Sequence, residues 1–136
     1  MQRKFGFIGL GLIGGSIAKA IRQFVPDAEI VAFDKNKEAL ALATQESVID
    51  VAVSSIDENF KNCEYLFLCA PVSYNTAYLK QLSGYLDKDC ILTDVGSVKS
   101  DIHREAQRLG LNGYFIGGHP MAGSGKSGYA NSKAML

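Results

Sequence analysis

Short apolar runs alternate along the chain with longer stretches in which apolar residues recur every three or four positions. That alternation predicts strands interleaved with helices. Residues 4–9 (KFGFIG) read as a buried strand, and Ile13 to Phe24 as a helix with Ile13, Ile17, Ile21 and Phe24 on one face. Pro26 and Asp27 mark the turn after it. Residues 29–34 (EIVAFD) form a second strand, and Asn36 can cap a helix through Glu38 to about Gln45. Residues 48–53 read as a third strand, closed by the polar break at Ser54, Ser55 and Asp57. The continuous apolar run 65–70 (YLFLCA) has the character of a strand covered on both faces, and Pro71 ends it. Tyr74, Tyr78, Leu82 and Tyr85 follow at helical spacing. A fifth strand is expected at 90–94 (CILTD), a helix from Ser97 or Ser100 through Leu109, and a sixth strand at 114–117 (YFIG). The pattern implies an α/β fold, a doubly wound and mostly parallel sheet with helices on both faces.

At the first crossover the residues become specific. Gly9-Leu10-Gly11-Leu12-Ile13-Gly14 is G-x-G-x-x-G, set between the first strand and the first helix. In that position Gly9 permits the tight turn, Gly11 lets a pyrophosphate approach the backbone, and Gly14 lets the helix pack on the strand. The phosphates would then meet free N–H groups, those of Leu12 and Ile13 included, at the positive end of the helix dipole. Asp34 ends the second strand twenty positions after Gly14, the spacing expected for a carboxylate that accepts from the adenosine ribose hydroxyls. Motif and context together indicate a Rossmann dinucleotide-binding domain. A carboxylate at Asp34 repels a 2′-phosphate, so NAD is the expected cofactor rather than NADP. Lys35 and Lys37 could soften that preference but read as a solvated surface pair. Ala70, Pro71 and Val72 follow the fourth strand, where loops cross the cofactor cleft; Pro71 either simply ends the strand or walls the nicotinamide ribose.

Composition narrows the class. With 136 residues the chain fits one domain, residues 1–136. Fourteen basic residues balance fourteen acidic ones, so no broad field draws in nucleic acid or an anionic membrane, and a bound anion must be held by local geometry. Arg3 and Lys4 followed by an apolar stretch resemble a secretory leader, but the three glycines interrupt it and a strand–helix pattern runs straight through. Cys63, Cys69 and Cys90 are odd in number and lack C-x-x-C spacing, which favours free thiols packed as small hydrophobes in a cytoplasmic protein over a metal or redox role. No metal is expected.

Two further segments lie at strand ends on the same rim: residues 94–99 (DVGSVK) and 117–124 (GGHPMAGS). Parallel strands share one carboxyl rim, so Ser97 and His119 can meet near a nicotinamide. Oxidation of an alcohol needs a partner for the hydroxyl proton, and histidine titrates near neutrality. His119, in a glycine-flanked turn past a strand, is the candidate base. His103, inside a helix, reads as structural. For Ser97 a helix N-cap and a catalytic role stand level. Lys99 and Lys126 read as solvated, with contact to a substrate carboxylate as the alternative, and Asp94 as fixing its turn.

GLGLIGGS at 9–16, DVGSVK at 94–99 and GGHPMAGS at 117–124, continuing through Lys126-Ser127-Gly128, together resemble the prephenate/arogenate dehydrogenases of tyrosine biosynthesis. The resemblance implies NAD-dependent oxidative decarboxylation of prephenate to 4-hydroxyphenylpyruvate, or of arogenate to tyrosine. It implies that His119 bonds the ring hydroxyl, that Ser97 helps orient that histidine, the hydroxyl and the nicotinamide, and that Ser124 lines the substrate side. Gly125 departs from the family pattern, which usually has glutamate there. The resemblance also implies a helical C-terminal domain that forms a homodimer and meets the substrate's carboxylates. Residues 130–136 read as the start of a helix, so this chain is expected to be the NAD-binding part of something longer, binding NAD but turning over substrate poorly by itself. Two other readings stay open: a dehydrogenase of the 3-hydroxyisobutyrate or 6-phosphogluconate type, and a non-catalytic NAD-binding or redox-sensing module.

Overall fold

The computed structural model describes residues 2–87, 89–94, 115–117, 129 and 132. Six parallel strands form one sheet: β1 (Lys4–Ile8), β2 (Glu29–Phe33), β3 (Val51–Val53), β4 (Tyr65–Leu68), β5 (Ile91–Asp94) and β6 (Phe115–Gly117). Their spatial order is β3-β2-β1-β4-β5-β6, so the winding reverses between β1 and β4. The helices are α1 (Leu12–Phe24), α2 (Lys37–Gln45) and α3 (Val72–Leu82), with a 3-10 turn at Glu58–Phe60. This is the Rossmann architecture, as the alternating pattern implied.

Strand alternation divides the core into two layers. Phe5 and Phe7 of β1, Ile30 and Ala32 of β2, and Ala18 of α1 share one layer with Leu40 and Ala43 of α2. Ile8, Val31, Phe33, Leu66 and Leu68 point to the other, where Tyr78, Leu79 and Leu82 of α3 cover them. Fully burying a side chain such as Phe7 or Leu66 contributes ~1.5–3 kcal/mol, so a sheet covered on both faces suits this apolar content.

Three expectations shift. The inner face of α1 is not the isoleucine stripe. Gly14, Gly15, Ser16 and Ala18 are buried, Ile13, Ile17 and Ile21 are half-buried, and Phe24 is 70% exposed. Small residues bring the helix axis close to the sheet, and the larger side chains then flank the contact instead of filling it. Val48 and Ile49 are buried but precede β3, because their amides close the end of α2 on the Ala43 carbonyl. Helix α3 starts two residues before Tyr74, with Pro71 as its N-cap residue, and ends at Leu82. The other strands and α2 fall within a residue or two of the reading, while the helix expected from Ser97 or Ser100 through Leu109 and the helix start expected at 130–136 lie outside the described residues. Asn36 caps α2, its side-chain oxygen accepting from the amides of Glu38 and Ala39.

Gly15 has a distant reason for being glycine. A Cβ there would lie 2.6 Å from a ring carbon of Tyr129 and 2.7 Å from Ser132 Oγ. Tyr129 and Ser132 are both buried. The Tyr129 hydroxyl donates to Glu46 Oε1 at 2.6 Å, and the Lys19 ammonium sits 4.5 Å from the ring centroid while donating to the Ser132 carbonyl at 2.9 Å. These contacts tie the last part of the chain to α1 and α2.

Gly15→Ala is expected to destabilise the fold by about 1 kcal/mol in urea unfolding. Overpacking costs ~1–3 kcal/mol, against a helix-propensity gain of ~1 kcal/mol; a more stable variant would contradict the Tyr129 contact. The three cysteines are free. Burial pushes the Cys63 thiol up to about 12 and the Cys90 thiol up to about 11. Both therefore stay protonated at neutral pH, and iodoacetamide should label them only as fast as the native state opens. Labelling of the folded protein at the rate of an exposed thiol would refute this.

Candidate functional site

The carboxyl ends of β1, β2 and β4 converge on Gly9. Its amide donates to the Phe33 carbonyl at the end of β2, at 2.7 Å. Its φ of +103° lies in the region that side chains disfavour, and a Cβ would stand 2.6 Å from the Ala70 amide nitrogen. Gly14 fits against Cys69, just past β4, where a Cβ would come within 2.9 Å of the cysteine Cβ. At Gly11 the opposite holds: among the described residues a Cβ built there meets nothing within 4 Å. No contact among them requires glycine at this position, which leaves a close approach to the backbone open.

Gly11 is also the N-cap residue of α1. Glycine has no side chain to cap this end, and no acidic residue lies in the first turn. The first amides of the helix, those of Leu12 and Ile13, point to where an anion would sit. Thus the glycine turn, tested on its own geometry, fits a pyrophosphate.

Asp34 stands beside this turn. One carboxylate oxygen accepts from the Leu10 amide at 2.6 Å and the other from the Asn36 amide at 2.8 Å. The carboxylate is therefore fixed to the glycine loop, yet each oxygen keeps a lone pair for a ribose hydroxyl. Across the cleft, Pro71 is exposed and its carbonyl accepts from the Tyr74 amide at 2.8 Å, the first turn of α3. Ala70 backs Gly9, and Val72 opens α3. The structure thus brings together Gly9, Gly11, Leu12, Ile13, Gly14, Asp34, Ala70, Pro71 and Val72 around the β1/β4 reversal, where open α/β sheets hold ligands.

The catalytic and substrate candidates Ser97, His119, Ser124 and Lys126 lie outside the described residues, as do Lys99, His103 and Gly125. The strand ends that precede two of these motifs are described. Asp94 and Gly117 are register partners in β5 and β6. Asp94 is buried and accepts from Asn75 Nδ2 at 3.1 Å. Asn75 itself is 1% exposed, and its Oδ1 has no partner among the described residues. Sequence reasoning passed over Asn75; the available signal was a polar residue lying beside Tyr78, Leu79 and Leu82 on the buried face of a helix. Among the described residues there is no group of three or more His, Cys, Asp or Glu able to hold a metal, and no helix is long and apolar enough to cross a membrane.

A model of the family "Prephenate dehydrogenase, nucleotide-binding domain" matches residues 17–136. The chain belongs to that family. Its relatives agree. It is 41% identical over 130 residues to the prephenate dehydrogenase of Lactococcus lactis subsp. cremoris, an alignment covering 93% of this chain and 36% of the relative. It is 38% identical to the Bacillus subtilis prephenate dehydrogenase, covering 94% and 35%. The chain therefore spans about a third of the curated prephenate dehydrogenases it matches. Among solved structures, the Aquifex aeolicus prephenate dehydrogenase in complex with hydroxyphenyl propionate and NAD+ superposes with a TM-score of 0.88 at 33% identity, covering 98% of this chain and 47% of that one. Synechocystis arogenate dehydrogenase superposes at 0.84 with 31% identity, covering 96% and 45%.

For this nucleotide-binding domain two of the motif glycines predict different variant behaviour. Gly11→Ala should lower the melting temperature less than Gly9→Ala, since among the described residues its Cβ meets open space and only the N-cap preference for glycine is lost, while weakening dinucleotide binding at least about tenfold by blocking close approach. Gly9→Ala should lower the melting temperature, because strain and a backbone clash together cost ~1–3 kcal/mol. Calorimetric melting and NADH titration read both, and a Gly11→Ala variant that binds normally would refute the cradle.

Proposed function

We propose that the protein carrying this chain is an NAD-dependent dehydrogenase that oxidatively decarboxylates prephenate or arogenate. The observation that carries the cofactor half is the clear space at Gly11, facing an uncapped helix start. The Aquifex relative, whose structure contains NAD+ and hydroxyphenyl propionate, supports the same reading. Bound NAD would supply the two-electron acceptor for the ring carbon that carries the hydroxyl. The amides of Leu12 and Ile13 hold the diphosphate, Gly11 lets it approach, and Asp34 accepts from the adenosine ribose. Pro71 and Val72 flank the nicotinamide side. His119 takes the hydroxyl proton as the ring carbon is oxidised, with Ser97 orienting it. Carbon dioxide leaves with its bonding pair given to the ring, which becomes aromatic. Aromatisation drives the step, so the protein's work is positioning and proton acceptance. By the family resemblance Ser124 would line the substrate side and Lys126 would meet a substrate carboxylate.

The family resemblance supports two further assignments: a helical C-terminal domain that meets the substrate's carboxylates, and a homodimer formed through it. Balanced charge argues against nucleic acid as a partner, and free thiols suit the cytoplasm.

Three measurements test the proposal. NADH should bind this chain with a rise in its fluorescence. NADH production should follow addition of prephenate or arogenate, but not of 2-hydroxy acids, to the protein that carries it. His119→Asn should lower kcat by roughly 10²–10⁴ with little change in NADH affinity. Unaltered turnover by that variant would remove the histidine from the mechanism.

A further inference from the structure

Asn75 stands where an apolar residue would be expected. It is the fourth residue of α3, 1% exposed, and Tyr78, Leu79 and Leu82 farther along the same helix belong to the apolar core. Its Nδ2 donates to Asp94 Oδ1 at 3.1 Å, while its own Oδ1 has no partner among the described residues. A buried amide with one half unmatched is costly, and an apolar side chain of the same shape would avoid that cost. What keeps an amide here is therefore its donor half, and that half is spent on one carboxylate. Asp94, also 1% exposed, closes β5 and is the register partner of Leu68 at the end of β4 and of Gly117 at the end of β6. Its charge also reaches Cys69, where burial first and then Asp94 raise the thiol pKa, and Cys69 is the residue against Gly14. One buried carboxylate thus stands where β4, β5 and β6 end together.

We propose that Asn75 is a positioning residue for the dehydrogenase reaction: by holding the Asp94 carboxylate to α3 it fixes the strand end from which the chain leaves β5. The inference rests on the proposed function, which gives Ser97 and His119 the handling of the hydroxyl proton. In sequence Ser97 follows Asp94 by three residues, and His119 follows Gly117, the register partner of Asp94, by two. Over so few residues the orientation of the strand end limits where either side chain can go. Asn75 is too deeply buried to touch a ligand in the cleft, so it acts through Asp94. The bond suits that task, because a donor to a carboxylate is held more firmly than one to a neutral acceptor. It also ties the strand end to α3, the helix that opens at Pro71 and Val72 on the same rim.

The experiment uses the full-length protein that carries this chain. It measures kcat and KM for prephenate and arogenate, NADH affinity and melting temperature in Asn75→Leu, Asn75→Ser, Asp94→Ala and the double variant Asn75→Leu/Asp94→Ala. Leucine keeps the shape of asparagine and removes the donor, while the serine hydroxyl is set too far back on the helix to reach the carboxylate. Asn75→Leu should lower kcat about tenfold, with KM and NADH affinity changed less than about twofold, because misplaced groups cost rate before they cost binding. Asn75→Ser should lower kcat in the same way, and it decides the matter should the leucine variant fail to fold. Added to Asp94→Ala, Asn75→Leu should cost kcat less than about twofold, since the group it acts through is already gone. An unchanged kcat in the folded Asn75 variants, with only the melting temperature lowered, would make the residue structural and overturn the inference. So would a loss of NADH affinity in step with kcat, or a full tenfold loss on adding Asn75→Leu to Asp94→Ala. In each of these cases the wild type still turns over its substrate and the proposed function stands. A wild type that turns over neither acid would overturn both.

Discussion

Everything in the cleft depends on how closely the chain passes itself at Gly9. Its amide closes onto the Phe33 carbonyl of β2, while its α-carbon faces the Ala70 backbone without room for a β-carbon. Three strand ends and the start of α1 are thereby brought to one point. Were that approach wider, the Leu10 amide would not reach Asp34, and the first turn of α1 would not open into the reversal between β1 and β4. A single backbone contact sets the geometry at the start of α1. A charged side chain need not do so, which suits a chain whose formal charges sum to zero.

Helix α1, whose first amides the proposed function assigns to a diphosphate, is held from both sides. On its sheet side Gly14 and Ala18 let it settle deeply, and on its outer side Gly15 receives Tyr129 and Ser132. The Tyr129 hydroxyl reaches across to Glu46 after α2, and Lys19 bonds the Ser132 carbonyl. Near the other end of α1, Arg22 donates to the Val48, Pro26 and Ala28 carbonyls and to the Asp50 carboxylate, which also accepts from the Ile30 amide. A helix fixed along its length presents its first amides in one orientation. Preorganised donors of that kind bind an anion without a reorganisation cost at the moment of binding.

Those parts of the fold whose causes are local were legible in the sequence. The apolar runs of β1, β2 and β4 and the Asn36 cap follow from residues within a few positions of each other, and the motif spacing alone marked Gly9 and Gly14, although their tight contacts are with Ala70 and Cys69. The failures share one physical origin, which is that partners distant in sequence decide burial. Phe24 continues the apolar stripe of α1 but extends past the sheet, so it remains exposed. Val48 and Ile49 have strand-like side chains, yet their amides are needed to finish α2. Asn75 gains its meaning only from Asp94, nineteen residues later, and Gly15 only from residues more than a hundred positions away.

Asp34 shows why motif spacing identifies the ligand class more securely than it identifies the ligand. Spacing requires a carboxylate at the end of β2, and the structure uses that carboxylate first to bind its own loop, through Leu10 and Asn36. A group that is part of the scaffold cannot readily be exchanged when a different ribose must be accommodated. The same two bonds hold the end of β2 against the glycine turn, so a substitution at Asp34 would change the shape of the loop together with any contact the carboxylate makes to a ribose.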